Sequence, residues 1–226
     1  SFSVGEGEEE ALAALVQRLD GIPLAVELAA ARATVMSPRR MLERIDKRFQ
    51  LLKHGPSDGT PRQATLRAAI DWSWDLLSEP ERAALSQCSV FRGGFSLDDG
   101  EAVVQIEGDE DVLDLLEALC GKSLVRSLDG SSEVRFGIYE SIRAYATEHL
   151  DAPDAAGGVL QRHADHFLDH AEKQVLEFGS PEGTDLDWVE ANRDNILAIC
   201  SRFQAGDPER SARAALCIAH AHLRRG

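Results

Sequence analysis

The chain has 226 residues, 43% of them hydrophobic and 28% charged, and its 39 acidic and 24 basic side chains give a formal net charge of -15. This composition predicts a soluble globular protein of two or three small domains, and it argues against a surface built for nucleic-acid phosphates, which needs clustered Lys and Arg. No apolar run approaches the roughly 20 residues that cross a bilayer, and no signal peptide opens the chain. The four cysteines lack paired spacing, so we expect free thiols, a cytoplasmic location and no membrane contact.

The first predicted helices meet at a sharp corner inside "QRLDGIPLAVELAAAR", residues 17–32. Leu15 and Leu19 belong to one apolar helical stripe, and Leu28 belongs to a second stripe that resumes after the corner. Gly21 can take the left-handed conformation that ends a helix, and Pro23 suits the first helical turn, where no N–H is needed. A third helix is predicted after Ser37, whose side chain would cap it, and "KHGPSDGTPRQ" then forms the first domain boundary.

The middle of the chain follows the order of a winged helix. Helices are predicted over "TLRAAIDWSWDLL", over a segment capped by Ser78, near "GGFSLDDGEAVV", and over "DVLDLLEALCGKSL", which we expect to end at Gly121. The alternation in "SLVRSLDGSSEVRFGIY" predicts a hairpin that turns at Asp129-Gly130, and a helix follows in "ESIRAYATEHL". Helices that lead into a hairpin and a further helix are typical of winged helix domains.

The last part of the chain is predicted to be helical throughout. "DAPDAAGG" marks a boundary, a long helix contains Phe167, one further helix contains Val189 and Phe203, and a third helix begins near the end. We therefore predict a mainly α fold. It comprises a small helical domain over 1–54, a winged helix domain with a β-hairpin over 60–150, and the start of a TPR-like helical region over 155–226.

Four motifs in register resemble the bacterial signal-transduction ATPases with numerous domains (STAND ATPases), which are related to the NB-ARC proteins. They are "LDGIPLAVELAAAR", "TLRAAIDWSWDLLSEPERAALSQCSVFRGGFSLDDGEAV", "LLEALCGKSLV" and "RFGIYESIRAYATEHL". In that family a P-loop domain precedes these parts, whereas no Gly-x-x-x-x-Gly-Lys-Ser/Thr occurs here. The resemblance implies a non-catalytic C-terminal piece without a cofactor of its own, taken from a longer ATPase that uses ATP or ADP with Mg. Such a piece would couple nucleotide state to signalling or transcription.

The resemblance also implies two places of nucleotide contact in the intact protein. Gly21, Ile22, Pro23 and Leu24 match the Gly-x-Pro motif, whose proline packs on adenine; the alternative is a plain helix corner. Tyr139 stands where relatives have the histidine of Met-His-Asp, which senses the β-phosphate. The alternative for Tyr139 is an aromatic side chain that closes the wing.

The remaining clusters predict neither catalysis nor metal binding. No nucleophile and base are placed together. His163, His166 and His170 could present imidazoles to a metal, but we interpret them as a solvated helix face. A basic run in the third helix faces either the absent ATPase domain or solvent: Arg39, Arg40, Arg44, Lys47 and Arg48.

The predicted partners are the chain's own upstream nucleotide-binding domain and a protein or small-molecule signal at the helical region, with hinges at 53–64 and 151–158. The segment that would enter a DNA groove carries Glu107, Asp109, Glu110, Asp111, Asp114 and Glu117. Because these carboxylates would repel phosphates, we expect no direct nucleic-acid contact. The open alternatives are a helical adaptor that never responds to nucleotide and a DNA-binding winged-helix regulator.

Overall fold

The computed structural model of the protein describes residues 8–19, 21–52, 61–128, 134–150, 153–176 and 186–225. Within these ranges the chain is mainly helical, with one small antiparallel sheet. The helices are α1 Glu9–Arg18, α2 Pro23–Ala30, α3 Pro38–Leu52, α4 Pro61–Asp75, α5 Glu79–Cys88, α6 Leu97–Val103, α7 Val112–Gly121, α8 Glu140–Glu148, α9 Pro153–Leu176, α10 Leu186–Ala191, α11 Arg193–Phe203 and α12 Pro208–Arg225. The strands are β1 Phe95–Ser96, β2 Arg126–Leu128 and β3 Arg135–Gly137.

Contacts divide the chain into two compact units. Unit 1 comprises Ser1–Arg82 and Leu115–Val125, and unit 2 comprises Ala83–Asp114 and Arg126–Gly226. The unit boundaries fall inside α5 and α7, because packing, and not sequence order, defines the units. The three domains predicted from composition are a different division of the chain and stay a prediction.

Unit 1 buries apolar faces of α1 to α4, with α1 against α3 and α2 against α4. The corner between α1 and α2 is confirmed: Gly21 has a φ of +60°, and Pro23 is the first residue of α2. Leu19 and Leu28, on either side of the corner, are almost fully buried. Local backbone chemistry therefore decides the corner, and the two apolar stripes decide which faces turn inward.

The start of α5 confirms the cap expected at Ser78. The carboxylate of Glu81 accepts from the Ser78 N–H at 2.8 Å, and the Ser78 hydroxyl accepts from the Glu81 N–H at 3.4 Å. This reciprocal pair satisfies two donors that a helix start leaves free. Glu81 also forms an ion pair with Lys122, which joins α5 to the end of α7 within unit 1.

The three strands form a sheet in the order β1-β3-β2. Phe95 pairs with Phe136, and Ser127 pairs with Phe136 from the other side. The hairpin of β2 and β3 is present as predicted, whereas its expected turn at Asp129-Gly130 lies outside the described residues. Strand β1 contributes the third strand ahead of α6, so the element order and sheet order are those of a winged helix.

Helix α7 ends at Gly121 as predicted, but Gly121 does not take the left-handed conformation. Gly121 is its last helical residue, and the left-handed conformation falls on Ser123, with a φ of 56°. The N–H of Leu124 donates to the Leu119 carbonyl at 3.0 Å, so the segment after Gly121 satisfies a carbonyl of the last helical turn. Leu119 and Leu124 are both buried, so packing of the following segment outweighs the usual preference for glycine.

The helical region consists of α9 to α12 in unit 2. One helix was expected to span Val189 to Phe203, but the chain breaks at Asn192 between α10 and α11, at φ −108° and ψ 12°. The backbone N–H and the side-chain amide of Asn192 both donate to the Trp188 carbonyl, at 3.0 Å and 3.1 Å, so the side chain adds a bond at the last carbonyls of α10.

The predicted hinges at 53–64 and 151–158 each fall partly on a helix start and partly outside the described residues. Residues 61–64 belong to α4 and residues 153–158 to α9, while 53–60 and 151–152 lie outside the described residues. Arg162 of α9 donates to the Val103 carbonyl at the end of α6 at 2.8 Å. Helix α6, the three strands and α8 thus share one compact unit with the helical region, and the hinge roles stay predictions.

Candidate functional site: an arginine-lined cavity

A cavity of about 150 Å³ lies in unit 2 between the turn before β1, the hairpin and the start of α8. Its floor is apolar, and its rim carries three guanidinium groups and one carboxylate. The lining residues are Phe91, Arg92, Gly93, Gly94, Phe95, Arg126, Leu128, Gly137, Ile138, Glu140 and Arg143.

Two glycines shape the wall of this cavity. Gly93 has a φ of +75° and Gly94 a φ of +119°, a backbone region that other residues rarely adopt. A side chain at Gly93 would approach Asp194 to 2.9 Å, and one at Gly94 would approach Leu128 to 2.8 Å. The turn therefore requires both glycines, for conformation and for space.

The turn is held by a buried side chain of α11. Asn195 accepts from the Arg92 N–H at 2.6 Å and donates to the Gly94 carbonyl at 2.8 Å. Asn195 is fully buried, so these bonds are shielded from water. The helical region thereby fixes the cavity wall, and the position of Arg92 depends on α11.

All four arginines of the stretch 83–150 meet around this cavity. Arg92, Arg126 and Arg143 line it, while Arg135 donates to the Gly94 carbonyl at 3.1 Å and to Asn192 Oδ1 at 2.7 Å. The Arg143 guanidinium forms a two-bond pair with Glu140. This cluster could not be predicted from the sequence, because its members are many residues apart and no local pattern connects them.

Arg126 is the arginine with its donors uncommitted. Its guanidinium carbon lies 4.6 Å from the centre of the Tyr139 ring, a cation-π contact. Among the described residues it makes no hydrogen bond and no ion pair, and its side chain is exposed. It can therefore donate to an incoming anion without breaking an existing bond.

The arginine charges repel one another. The pKa of Arg92 is lowered, first by burial and then by the positive charge of Arg143, while Glu140 opposes both. Burial, followed by Arg92 and Arg143, lowers the pKa of Arg202 on α11 to about 10. The hydrogen bond from Arg143 lowers the pKa of Glu140 despite the opposing effect of burial. An anion in the cavity would relieve this repulsion.

The segment before α7 and the exposed face of α7 have the opposite charge. All six carboxylates singled out from the sequence, from Glu107 to Glu117, belong to exposed residues. Leu113 is exposed beside them, while the apolar residues Leu115, Leu116 and Leu119 are buried. The chemistry of α7 thus disfavours phosphate, whereas that of the cavity favours it.

The residues predicted to contact nucleotide lie in different units. Gly21 and Pro23 are exposed in unit 1, Ile22 and Leu24 are half-buried there, and Tyr139 is half-buried in unit 2. Tyr139 directly precedes α8 and carries Arg126 over its ring, an arrangement that fits the alternative of a wing-closing aromatic. The nucleotide roles of all five residues stay predictions.

The histidines of α9 are not a solvated face, so that interpretation was wrong. His163 is fully buried against Phe91 and Phe167, and His166 pairs with Asp99 of α6 at 2.7 Å. His170 stacks on Trp188 at 4.0 Å between ring centres. Helical spacing alone could not reveal that α6, α10 and α11 cover this side of α9.

The remaining sequence features are the basic run of α3, possible metal ligands, the cysteines and possible membrane-spanning helices. Arg39, Arg40 and Arg44 of α3 are exposed, and the side chains of 46–52 lie outside the described part. In the described ranges no group of three or more His, Cys, Asp or Glu is placed to hold a metal ion. All four cysteines are free thiols. Of the helices the structure describes, none combines the length and apolarity that spanning a membrane requires.

Comparison with known proteins supports the winged helix directly. Residues 77–151 match a family model described as a winged helix-turn-helix domain. A Mycobacterium tuberculosis H37Rv protein with the provisional name HTH-type transcriptional regulator is 40% identical over 171 residues, 74% of this chain. A Mycobacterium bovis protein of the same provisional description matches equally well. An uncharacterized protein of the same tuberculosis strain is 34% identical over 182 residues, 79% of this chain.

The chain is therefore a mainly helical protein that contains a winged helix domain. It spans 19% of the length of the relatives named as regulators and 46% of the uncharacterized one. Neither the family description nor these names refer to an ATPase, so the resemblance to STAND ATPases remains a proposal.

The same findings overturn the prediction of no direct nucleic-acid contact. Winged helix-turn-helix domains are a class of DNA-binding module, and relatives of this chain are named as HTH-type regulators. The prediction failed because it weighed only the acidic segment near α7 and the net charge. The folded chain gathers four distant arginines at one cavity, a feature that neither quantity reports.

Proposed function

We propose that this chain is the winged-helix part of a transcriptional regulator, and that it binds DNA through phosphate contacts from the arginines around the cavity. The observation that carries the proposal is the convergence of Arg92, Arg126, Arg135 and Arg143 at one place in a chain of net charge -15. The described lining contains one opposing carboxylate, Glu140, so the rim is locally cationic.

Guanidinium chemistry suits this role. Each arginine offers planar, paired N–H donors that match phosphate oxygens and remain charged at every physiological pH. Arg126 belongs to β2 of the hairpin that forms the wing, and among the described residues its donors make no hydrogen bond, so they can bind a backbone phosphate. Phosphate contacts supply affinity and orientation, while base reading needs side chains in a groove.

The acidic face of α7 sets the limits of the proposal. Asp114 and Glu117 are exposed on the helix that would normally read bases, where they would lie against phosphates. We therefore assign the DNA contact to the cavity rim and the wing instead of α7. This contact should be sensitive to salt and only weakly dependent on sequence.

The test is anisotropy titration of a labelled duplex of mixed sequence with the full chain and three variants. Arg126→Ala and Arg143→Ala should each weaken binding by about threefold to tenfold, the loss of one phosphate contact. Arg213→Ala is the matched control, because it removes the same charge from α12, where Arg213 pairs with Glu172. Equal losses in all three variants, or no binding by the unmodified chain, would contradict the proposal.

A second candidate function follows from the resemblance to STAND ATPases. In this candidate, an upstream domain of the same protein binds ATP or ADP together with Mg. The chain would sense which nucleotide is bound through Gly21, Ile22, Pro23, Leu24 and Tyr139. The exposure of Pro23 favours this candidate, since its ring is open to a nucleotide held by an upstream domain. Nothing lies within 4 Å of a Cβ built on Gly21, so the corner has open space beside it.

Pro23→Ala in the full-length protein separates the two interpretations of the corner. If the ring packs on adenine, ADP affinity should fall by several-fold while the melting temperature changes little, because alanine is a good helix former. Unchanged ADP affinity beside a lower melting temperature would leave Pro23 with a packing role only.

A further inference from the structure

We propose that the arginine-lined cavity binds a small organic anion, a phosphate monoester or carboxylate with a short apolar portion, and that this ligand excludes DNA from the same arginines. The first half of the proposal concerns the cavity alone. The second half rests on the proposed function, since exclusion requires that DNA use the rim.

The composition of the cavity indicates an organic ligand. Phe91, Phe95, Leu128 and Ile138 give it apolar walls, and three guanidinium groups converge above them. Ligand sites typically combine apolar walls with a few converging polar groups. The phosphates of a DNA duplex lie on its convex outer surface. The duplex backbone therefore has no apolar group that could fill a cavity of about 150 Å³.

The walls allow close approach to the backbone. Gly93, Gly94 and Gly137 line the cavity without side chains, and a Cβ at Gly137 would already crowd Leu128 at 3.1 Å. The stacked pair Phe91 and Phe95, with ring centres 4.1 Å apart, provides a rigid apolar wall. A flat ring or short alkyl group can therefore lie against these walls with little rearrangement.

The charges indicate an anion. Within the described ranges Arg126 donates no hydrogen bond, and the positive charges of Arg92 and Arg143 repel one another at the rim. Glu140 accepts hydrogen bonds from one pair of Arg143 donors and is itself exposed to solvent. A ligand phosphate or carboxylate can therefore replace it with only a modest loss of free energy. Neutralising Glu140 should thus improve anion binding, because it removes the internal competitor.

The test uses phenyl phosphate as the probe, with phenol and inorganic phosphate as matched partial ligands, in calorimetric titration of the full chain without DNA. Phenyl phosphate should bind at least fivefold more tightly than inorganic phosphate, and phenol should not bind measurably. Arg126→Ala should weaken phenyl phosphate binding at least fivefold, Glu140→Gln should strengthen it, and Arg213→Ala should leave it unchanged. Benzoate in place of phenyl phosphate shows whether a carboxylate suffices.

A second arm adds the labelled duplex. Phenyl phosphate should displace it from the unmodified chain at concentrations that saturate the cavity, whereas phenol should not. If phenyl phosphate does not bind, or binds equally well to Arg126→Ala, the proposed ligand site is wrong. That conclusion holds even if the duplex still binds through the arginines. Binding of phenyl phosphate without displacement overturns the exclusion and shows that DNA uses another surface.

Discussion

The side-chain oxygen of Asn195 accepts a 2.6 Å hydrogen bond from the backbone N–H of Arg92. The amide of the same side chain donates to the Gly94 carbonyl at 2.8 Å, so one buried residue of α11 holds both ends of the glycine turn. The shape of the arginine-lined cavity therefore depends on the helical region as much as on the winged helix. Changes on α11 should affect the cavity through this contact.

Asn195→Ala should lower the free energy of unfolding by about 1 to 3 kcal/mol, because it leaves the Arg92 N–H without a partner and removes one of the two bonds to the Gly94 carbonyl. Urea denaturation followed by circular dichroism measures this loss. Ser201→Ala on the same helix is the control, since Ser201 is exposed and bonds only the Ala198 carbonyl. The control should change stability by less than about 0.5 kcal/mol. A similarly small effect of Asn195→Ala would show that the turn does not need α11.

Gly94→Ala should cost more than about 2 kcal/mol, because φ +119° is strained for alanine and the new Cβ would meet Leu128 at 2.8 Å. Gly121→Ala, at the end of α7, should instead stabilise the chain by up to about 1 kcal/mol. A Cβ there meets nothing within 4 Å. Thermal melts of the two variants should therefore shift in opposite directions; shifts of the same sign would contradict the assigned turn conformation.

Stability should fall as the pH drops below about 6.5. The pKa of His163 is lowered from 6.5 to about 3, mainly by burial and next by the charge of Arg202. Below about pH 6.5 the unfolded chain binds a proton at His163, whereas the folded chain binds it only near pH 3. Between these values the free energy of unfolding should fall by up to roughly 1.4 kcal/mol for each pH unit.

His163→Gln should remove that part of the pH dependence, measured as the free energy of unfolding at a series of pH values. His222→Gln, the same change at an exposed position of α12, is the control and should retain the slope. An unaltered slope in His163→Gln would mean that His163 takes up its proton in the folded chain.

Neutralising α7 should change DNA affinity little. Because the proposed DNA contact lies at the arginine rim and wing, Asp114→Asn with Glu117→Gln should strengthen binding by less than about threefold at physiological salt, where charges are screened over roughly 8 Å. A gain of tenfold or more would show that α7 itself approaches the phosphates.

Local chemistry made part of this structure predictable. Gly21 and Pro23 define the corner through their own backbone preferences, and Ser78 caps α5 through a residue three positions away. The end of α7 at Gly121 was predictable, but the left-handed residue was not, since packing places it at Ser123. His163 was misjudged because spacing along one helix does not tell which neighbours cover it.

The candidate site was beyond sequence reasoning for a related reason. Arg92, Arg126 and Arg143 come from a turn, a strand and a helix, and only the folded sheet brings them to one cavity. Their effect is also hidden in the total charge, which the many acidic side chains dominate. Net charge describes the chain as a whole, whereas phosphate binding depends on the local field.

The most direct test of the central claim is the salt dependence of DNA binding. If three or four arginines each neutralise one phosphate, the logarithm of the association constant should fall with that of the salt concentration at a slope of about −3. Arg126→Ala combined with Arg143→Ala should reduce this slope by about 2, while Arg213→Ala should leave it near −3. A slope that is unchanged in the double variant would contradict the claim that these arginines hold DNA.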